Sequence, residues 1–535
     1  MEGNCFTVSR HAVNSDKQII IVITYVNEAR SSITHQPINS NCSLLSPQIN
    51  HKSLDQHLKV EFNLQSSMEK PQQHILVACY PAQGHINPTL RLSKRLAREA
   101  GVRITFSTAV DAHRRMFPNQ EAGVLHDDLF AYIPYSNGYD DGFDPKIHDI
   151  RTFMYDSKQN GSRTLAAIVD DQAARGQPIT CIIYSFFMSW AAEIARERGI
   201  PSFLFWIQPA TAFAVYWHYF HDESILAAKL SDQLSVVNLP RLPPMRIRDL
   251  PSFITENSPD GPYAVFTPFI REMFEMLDTE ISIQSSKPLV ISNTADEMEA
   301  SAIVSVADKV NIVGIGPLLE DTVEGSLFKS DDKNGYMDWL DRQEERSVVY
   351  VSFGSISVLK KEQVEEISKG LRLSGRPYLW VLRKDNRWEG QELVEEEDEG
   401  VKKAKGMVVE WCSQGKVLGH KAVGCFVTHC GWNSTVESFL CGVPTVAVPQ
   451  WTDQFTNAWL MEKAWGTGVR AEVSKDGLME ADELRRCLEI VMGEGERLEE
   501  IRRKVDMWKE KARQATVAGG SSQRNLMAFV EEIAS

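Results

Sequence analysis

Positive charge is in short supply in this chain of 535 residues: 57 lysines and arginines face 72 acids, a formal net charge of −15. Proteins that neutralise a phosphate backbone present surplus Lys and Arg, so no nucleic-acid partner is expected. Apolar runs long enough for a membrane are missing as well. Ile19 to Val26 ("IIIVITYV") is too short to span a bilayer, and no small-residue cleavage site follows it promptly. No stable membrane insertion is expected. Cysteine is sparse: nine residues, among them Cys79, Cys181, Cys412, Cys425, Cys430, Cys441 and Cys487, show neither zinc-like spacing nor a disulfide framework. They read as reduced, small buried hydrophobes of a cytoplasmic protein. Asn-x-Ser/Thr sequons stand at Asn41, Asn160 and Asn433, and a glycan at the last would block the motif around it, which also favours a compartment without glycosylation. Two nucleotide fingerprints are absent. There is no G-x-x-x-x-G-K-[ST], and "GIGPLL" from Gly314 does not complete G-x-G-x-x-G, which argues against P-loop kinase and dinucleotide dehydrogenase chemistry.

What is present is an ordinary globular composition, 43% apolar and 24% charged, on a chain too long for one core. "HILVACY" (His74 to Tyr80) is a continuous apolar run, as expected of a strand covered on both faces. "PAQGH" follows as a turn, Asn87 suits a helix cap, Pro88 suits the first helical position, and the helix should stop at Gly101. "VRITFSTAV", "ITCIIYSFF", "IPSFLFWIQ", "PLVISNT" and "NIVGIG" read as further strands with helices between. "SVVYVSFGS", "RPYLWVLR", "GCFVTH" and "TVAVPQ" repeat the scheme. Strands alternating with helices imply parallel sheets. The fold class is therefore α/β, with two doubly wound, Rossmann-like domains and ligands beyond the carboxyl ends of the strands. Residues 1–67 read as a non-native or poorly ordered extension with Met68 as the natural start. The domains are expected at 68–316 and 346–535, joined by an acidic, turn-rich linker at 317–345, with the final helix packing back on the first domain. The run Glu395 to Gly400 reads as a solvated loop.

The chemistry concentrates at "HCGWNSTVE", His429 to Glu437, where a strand gives way to a helix. Unpaired N–H groups at a helix start seat a phosphate or diphosphate. Gly431 allows close backbone approach, Ser434 and Thr435 bring hydroxyls, and His429 offers a ring nitrogen. Ser434-x-x-Glu437 matches a capping box equally well, which requires no ligand. Trp432 alone reads as core or as a stacking surface.

The stretch Trp411 to Gln454, "WCSQGKVLGHKAVGCFVTHCGWNSTVESFLCGVPTVAVPQWTDQ", resembles over its whole length the plant secondary product glycosyltransferase box, the signature of plant UDP-dependent glycosyltransferases. "YPAQGHINP" and "YVSFGS" extend the likeness from Met68 to the end. The resemblance implies a GT-B fold, two Rossmann-like domains facing a central cleft. It also implies UDP-glucose and a small acceptor molecule as partners, no cofactor and no metal, and a monomer. By the same resemblance Trp411 stacks on uracil, the Cys412 backbone reads the base edge, Gln414 lies beside the ribose and Glu437 accepts from its hydroxyls. Ser355, His429, Asn433 and Ser434 hold the diphosphate, and Trp432, Asp453 and Gln454 contact the sugar. A closing Gln resembles glucose-using members more than galactose-using ones.

His85, in "GHINP", stands where the family has its general base, activating the acceptor for one inverting displacement that yields a β-glucoside. The family usually orients that ring with an Asp in a run like "C-x-x-S-D". Here the run is "CIIYSFF" and Ser185 occupies the position, able to hydrogen-bond but bringing no charge. The runs "TFSTAV", "WAAEIARE" and "FWIQPATAF" resemble the branch containing anthocyanin 5-O-glucosyltransferases and enzymes that esterify crocetin or indole-acetic acid. The implied acceptor is a flat phenolic such as an anthocyanin or flavonoid, or alternatively an apolar carboxylate, which is already ionised and tolerates a weaker base. Tyr139, Phe186, Phe187, Trp206 and Gln208 are the expected acceptor-pocket residues. A catalytically silent nucleotide-sugar binder is a third reading.

Overall fold

The structure, a computed structural model, describes residues 73–118, 125–126, 129–256, 258, 261, 263–284, 286–318, 335–387 and 406–534. The expected extension at 1–67, Met68, Asn41, the run Glu395 to Gly400 and most of the linker at 317–345 lie outside the described residues.

The apolar runs become the strands of two sheets. The first contains β1 (His74–Ala78), β2 (Arg103–Ser107), β3 (Leu125–His126), β4 (Phe130–Tyr132), β5 (Cys181–Ser185), β6 (Ser202–Trp206), β9 (Leu289–Ser292) and β10 (Asn311–Gly314), with β7 (Val236–Val237) and β8 (Met245–Arg246) forming a separate small hairpin. Its order is β10-β9-β6-β5-β1-β2-β4-β3, parallel except for β3. The second holds β11 (Val348–Ser352), β12 (Tyr378–Val381), β13 (Gly406–Val409), β14 (Val423–Thr428), β15 (Thr445–Ala447) and β16 (Gly468–Arg470) in the order β13-β12-β11-β14-β15-β16, all parallel. Helices cover both faces, which is why the central strands need no polar alternation. Val349, Trp380 and Val427 enter one core and Tyr350, Leu379 and Phe426 another, on opposite faces of the second sheet.

Each sheet reverses its winding at one point. In the first, β1 lies between β2 and β5, pairing Ile75 with both Ile104 and Cys181. In the second, β11 lies between β12 and β14, pairing Tyr350 with Leu379 and Phe426. In doubly wound sheets, ligands sit beyond the carboxyl ends of the strands at these switch points.

The first helix runs from Gln83 to Ala100, five residues earlier than Asn87 and Pro88 suggest, so Pro88 lies inside it and Ala82 takes the cap position without a side-chain bond. The helix tolerates proline there because the carbonyl it strands, that of Gly84, accepts Asn433 Nδ2–H at 3.0 Å from the other half. Gly101, with φ 63, closes the helix through its N–H to the Ala97 carbonyl.

The halves are joined at several further places. Arg470 pairs with Asp249 at 2.8 Å, both nearly buried. Thr452 N–H donates to Ser252 Oγ at 2.7 Å and Ser252 N–H to the Thr452 carbonyl at 3.0 Å. The last helix, Ser521–Ile533, lies on the first sheet: Phe529 meets Phe203 edge-on, and Asn525 Nδ2 donates to the Gly314 carbonyl.

Candidate active site

A cavity of about 1030 Å³ opens at the carboxyl ends of β1, β5, β11 and β14, so both switch points face one space. That is at the upper end of the range for small-molecule pockets and leaves room for two ligands side by side.

On the side of the second sheet, the loop after β14 brings His429 to the wall and leads into the helix Trp432–Cys441, capped by Gly431 without a side-chain bond. The N–H groups of that first turn therefore have no partner within the helix. The imidazole of His429 is held between two glycines: a Cβ on Gly354 would lie 2.6 Å from its Nε2, and one on Gly431 2.5 Å. The glycines thus make room for the ring, a more specific reason than general closeness of approach. Gly354 also has φ 73, a conformation other residues resist. Cys430, Phe187 and Thr452 carry φ values of 66, 70 and 55 without being glycine; Phe187 and Thr452 line the cavity and Cys430 lies buried between the lining residues His429 and Gly431, which concentrates backbone strain at the site.

The capping-box alternative is overturned. Ser434 lies within the helix, and its Oγ accepts from Gln414 Nε2 at 2.9 Å. Glu437 turns away from the helix start toward Gln414 Nε2 at 2.8 Å and Arg91 Nη2 at 2.9 Å. Gln414 Oε1 accepts from the Tyr350 hydroxyl. Trp411, Cys412, Gln414, Ser355, His429, Trp432, Asn433, Ser434, Glu437, Asp453 and Gln454 all line the cavity. Trp432 is nearly buried, and its indole N–H donates to the Asn293 carbonyl of the first half. Gln454 Oε1 accepts the N–H groups of Gln450 and Trp451, which commits its oxygen to the turn and leaves its amide NH₂ available.

On the side of the first sheet, His85 sits in the first turn of Gln83–Ala100, with part of its ring open to the cavity. Its Nδ1 lies 3.4 Å from Ser185 Oγ, and the same oxygen accepts the Tyr80 N–H at 3.0 Å. Ser185 thus stands beside the ring without supplying charge. Tyr80, Phe186 and Phe187 surround His85 with ring centroids 5.1, 6.2 and 6.0 Å away. Desolvation pushes its pKa down to about 3, and burial holds His429 at about 4, opposed by the pull of the Ser352 backbone carbonyl. Both imidazoles are neutral at physiological pH. Burial pushes Asp453 the other way, up to about 6, against a hydrogen bond from Asn457.

Tyr139, Phe186, Phe187 and Gln208 line the cavity, and Gln208 Nε2 reaches Thr452 Oγ1 at 3.2 Å. Trp206 does not. It is fully buried, its indole N–H spent on the Pro209 carbonyl, because the last residue of β6 points into the core rather than toward the strand's open end. Further lining residues were not singled out from the sequence, among them Arg91, Asp111, Phe253, Phe266, Trp451 and Tyr80. Of these only Tyr80, at the end of "HILVACY", had a positional signal. Phe253, Phe266 and Trp451 meet across the halves, which no local pattern announces.

Among the described residues, no helix is long and apolar enough to cross a membrane, and the seven cysteines form no disulfide.

Comparison with known proteins bears on what the cavity holds. The model of the family described as UDP-glucoronosyl and UDP-glucosyl transferase matches residues 319–512. The chain is 44% identical to a crocetin glucosyltransferase, chloroplastic, of Gardenia jasminoides, over 86% of this chain and 97% of that protein. It is 42% identical to anthocyanidin 3-O-glucoside 5-O-glucosyltransferase 1 of Perilla frutescens, over 86% and 99%. Among solved structures it is similar to Os79 from O. sativa in complex with UDP, with a TM-score of 0.72 and 30% identity over 86% of this chain and all of that one.

Proposed function

This chain belongs to the UDP-glycosyltransferase family and is a GT-B enzyme, and we propose that it moves glucose from UDP-glucose to a hydroxyl of a small plant phenolic, such as an anthocyanin or flavonoid, as a β-glucoside. The observation that carries the reading is the pairing, across one cavity, of His85 with the wall formed by His429, Glu437 and Gln414. In this account Trp411 and the Cys412 backbone receive the uracil, Gln414 and Glu437 the ribose, and Ser355, His429, Asn433, Ser434 and the free N–H groups of the helix start the diphosphate. Asp453, the amide NH₂ of Gln454 and Trp432 bound the sugar. Charge building on the departing diphosphate meets fixed donors in a partly desolvated site, so we assign no metal and no cofactor to the reaction. His85 accepts the acceptor's proton while the oxygen attacks the face opposite UDP, inverting the anomeric carbon.

A second reading, glucose-ester formation on an apolar carboxylate, is favoured by one specific observation. The partner of His85 is the uncharged Ser185, and the ring's pKa is held near 3. A phenol with a pKa of about 10 does not yield its proton to such a base ahead of bond formation, so transfer must accompany departure of the diphosphate. A carboxylic acid arrives already ionised. We place the protein in the cytoplasm, supported by the thiol state of its described cysteines and by the sequon at Asn433 inside the cleft, and treat it as a monomer.

The test is incubation with UDP-glucose and a panel of anthocyanins, flavonols and plant acids, with products read by mass and then exposed to alkali, which cleaves esters and largely spares phenolic glucosides. His85→Ala should bind UDP normally and lose about 10²–10⁴ of the rate on hydroxyl acceptors. A wild type that binds UDP-glucose without transferring or hydrolysing it would end the enzymatic reading.

A further inference from the structure

The helix that carries His85 and the helix that carries Asn433 and Glu437 belong to different halves, yet they meet at two points. Pro88 has no N–H for the Gly84 carbonyl, and Asn433 Nδ2–H takes that place at 3.0 Å. About two turns further along, Arg91 Nη2 meets Glu437 Oε1 at 2.9 Å, with the side chains only 13% and 10% exposed. Asn433 and Glu437 are four residues apart and share a helix face. Arg91 is anchored in turn, its Nη1 donating to the Leu318 carbonyl at 3.2 Å.

The geometry fixes what Glu437 can offer. A carboxylate accepts about four hydrogen bonds. Arg91 takes one direction at Oε1, Gln414 Nε2 one at Oε2, and the two that remain match a pair of adjacent hydroxyls. The group that fixes the Oε1 direction, Arg91, comes from the acceptor-side half, outside the box.

We propose that Arg91 is a positioning residue of the donor site, holding the Glu437 carboxylate in the orientation that receives the donor's ribose. The inference rests on the reading of Glu437 given above. An ion pair that merely joined the halves would contribute to stability and leave donor affinity alone.

The experiment is a double-mutant cycle on the full chain with Arg91→Met, Glu437→Gln and the double variant, together with Arg91→Lys. It measures UDP affinity by calorimetry, KM for UDP-glucose, kcat and melting temperature. Arg91→Met is expected to weaken UDP about tenfold, the size of one charge-assisted hydrogen bond, and to raise the donor KM in proportion while kcat at saturating donor stays within about threefold. Arg91→Lys should recover part of the loss. The double variant should be no worse than Glu437→Gln alone by more than about twofold. Donor affinity and KM unchanged in Arg91→Met, or losses that multiply in the double variant, would overturn the inference. Should Arg91→Met fail to fold, Arg91→Gln carries the same cycle. Wild type that takes up no UDP overturns the donor reading itself, and this inference with it, whereas unchanged affinity in the Arg91 variants alone overturns only the inference.

Discussion

At the scale of single residues, three titratable groups set the chemistry. His85 and His429, at about 3 and 4, stay neutral throughout the physiological range. Asp453, at about 6, is ionised at neutral pH and loses its charge in mildly acidic solution. Its folded pKa lies above the ordinary carboxylate value, so it is charged only above pH 6 and takes up a proton as the pH falls through 6. A protonated Asp453 offers a sugar hydroxyl fewer acceptor sites. KM for UDP-glucose should therefore rise as pH drops below about 6, and Asp453→Asn should start from a higher KM and show no such rise. Steady-state kinetics between pH 5 and 8 would check this, and a KM limb that survives in Asp453→Asn would contradict it. Ser185 allows a complementary test. Ser185→Asp would place a carboxylate about as far from Nδ1 as the present 3.4 Å contact, fixing the tautomer and stabilising the imidazolium. Turnover on phenolic acceptors should rise by about tenfold relative to turnover on carboxylates, measured side by side. An equal effect on both would sink the idea that the base limits hydroxyl transfer. His85 and Ser185 were both legible in the sequence through the family resemblance, His85 in "GHINP" beyond the first apolar strand and Ser185 as the last residue of the strand "CIIYS". Arg91 and Asp111 were not, because on an amphipathic helix an exposed and a cleft-facing charge look alike until the opposite half is in place.

At the scale of elements, the motif works through the shape of a turn. The loop after β14 keeps Cys430 at φ 66, holding its carbonyl with Asn457 Nδ2 at 2.8 Å, and seats His429 between Gly354 and Gly431. Gly431→Ala would drive a methyl to about the 2.5 Å contact and displace the ring. Overpacking of this kind costs about 1–3 kcal/mol, and UDP affinity should fall at least about tenfold by calorimetry. Affinity equal to wild type would show that the position of His429 does not matter to the donor. The strands could be read in advance because burial on both faces leaves continuous apolar runs, as in "SVVYVSFGS". The short edge strands β13 and β16 were missed, since three or four residues at a sheet's rim carry little pattern. The start of Gln83–Ala100 was misjudged because proline is favoured at a first helical turn. The compensating bond to the Gly84 carbonyl comes from Asn433, distant in sequence.

At the scale of the molecule, the two sheets present their switch points to one cavity, and buried contacts far from the chemistry keep them facing. The Arg470–Asp249 pair is the clearest, its side chains 10% and 9% exposed. Burial lowers the pKa of Arg470, which Asp249 opposes, so Asp249→Ala would leave a buried cation uncompensated. Unfolding free energy from urea titration should drop by about 3–5 kcal/mol, and a change under about 1 kcal/mol would show that the halves are held by other contacts. The central claim is that one cleft holds a UDP-sugar against the Trp411 to Gln454 segment with its anomeric carbon turned to His85. A crystal structure of His85→Ala with intact UDP-glucose tests it most directly. The account predicts uracil on Trp411, ribose hydroxyls on Glu437, diphosphate at His429 and the helix start, and room for a single acceptor oxygen between the anomeric carbon and position 85. A sugar directed away from that position, or a nucleotide bound outside the cleft, would contradict it.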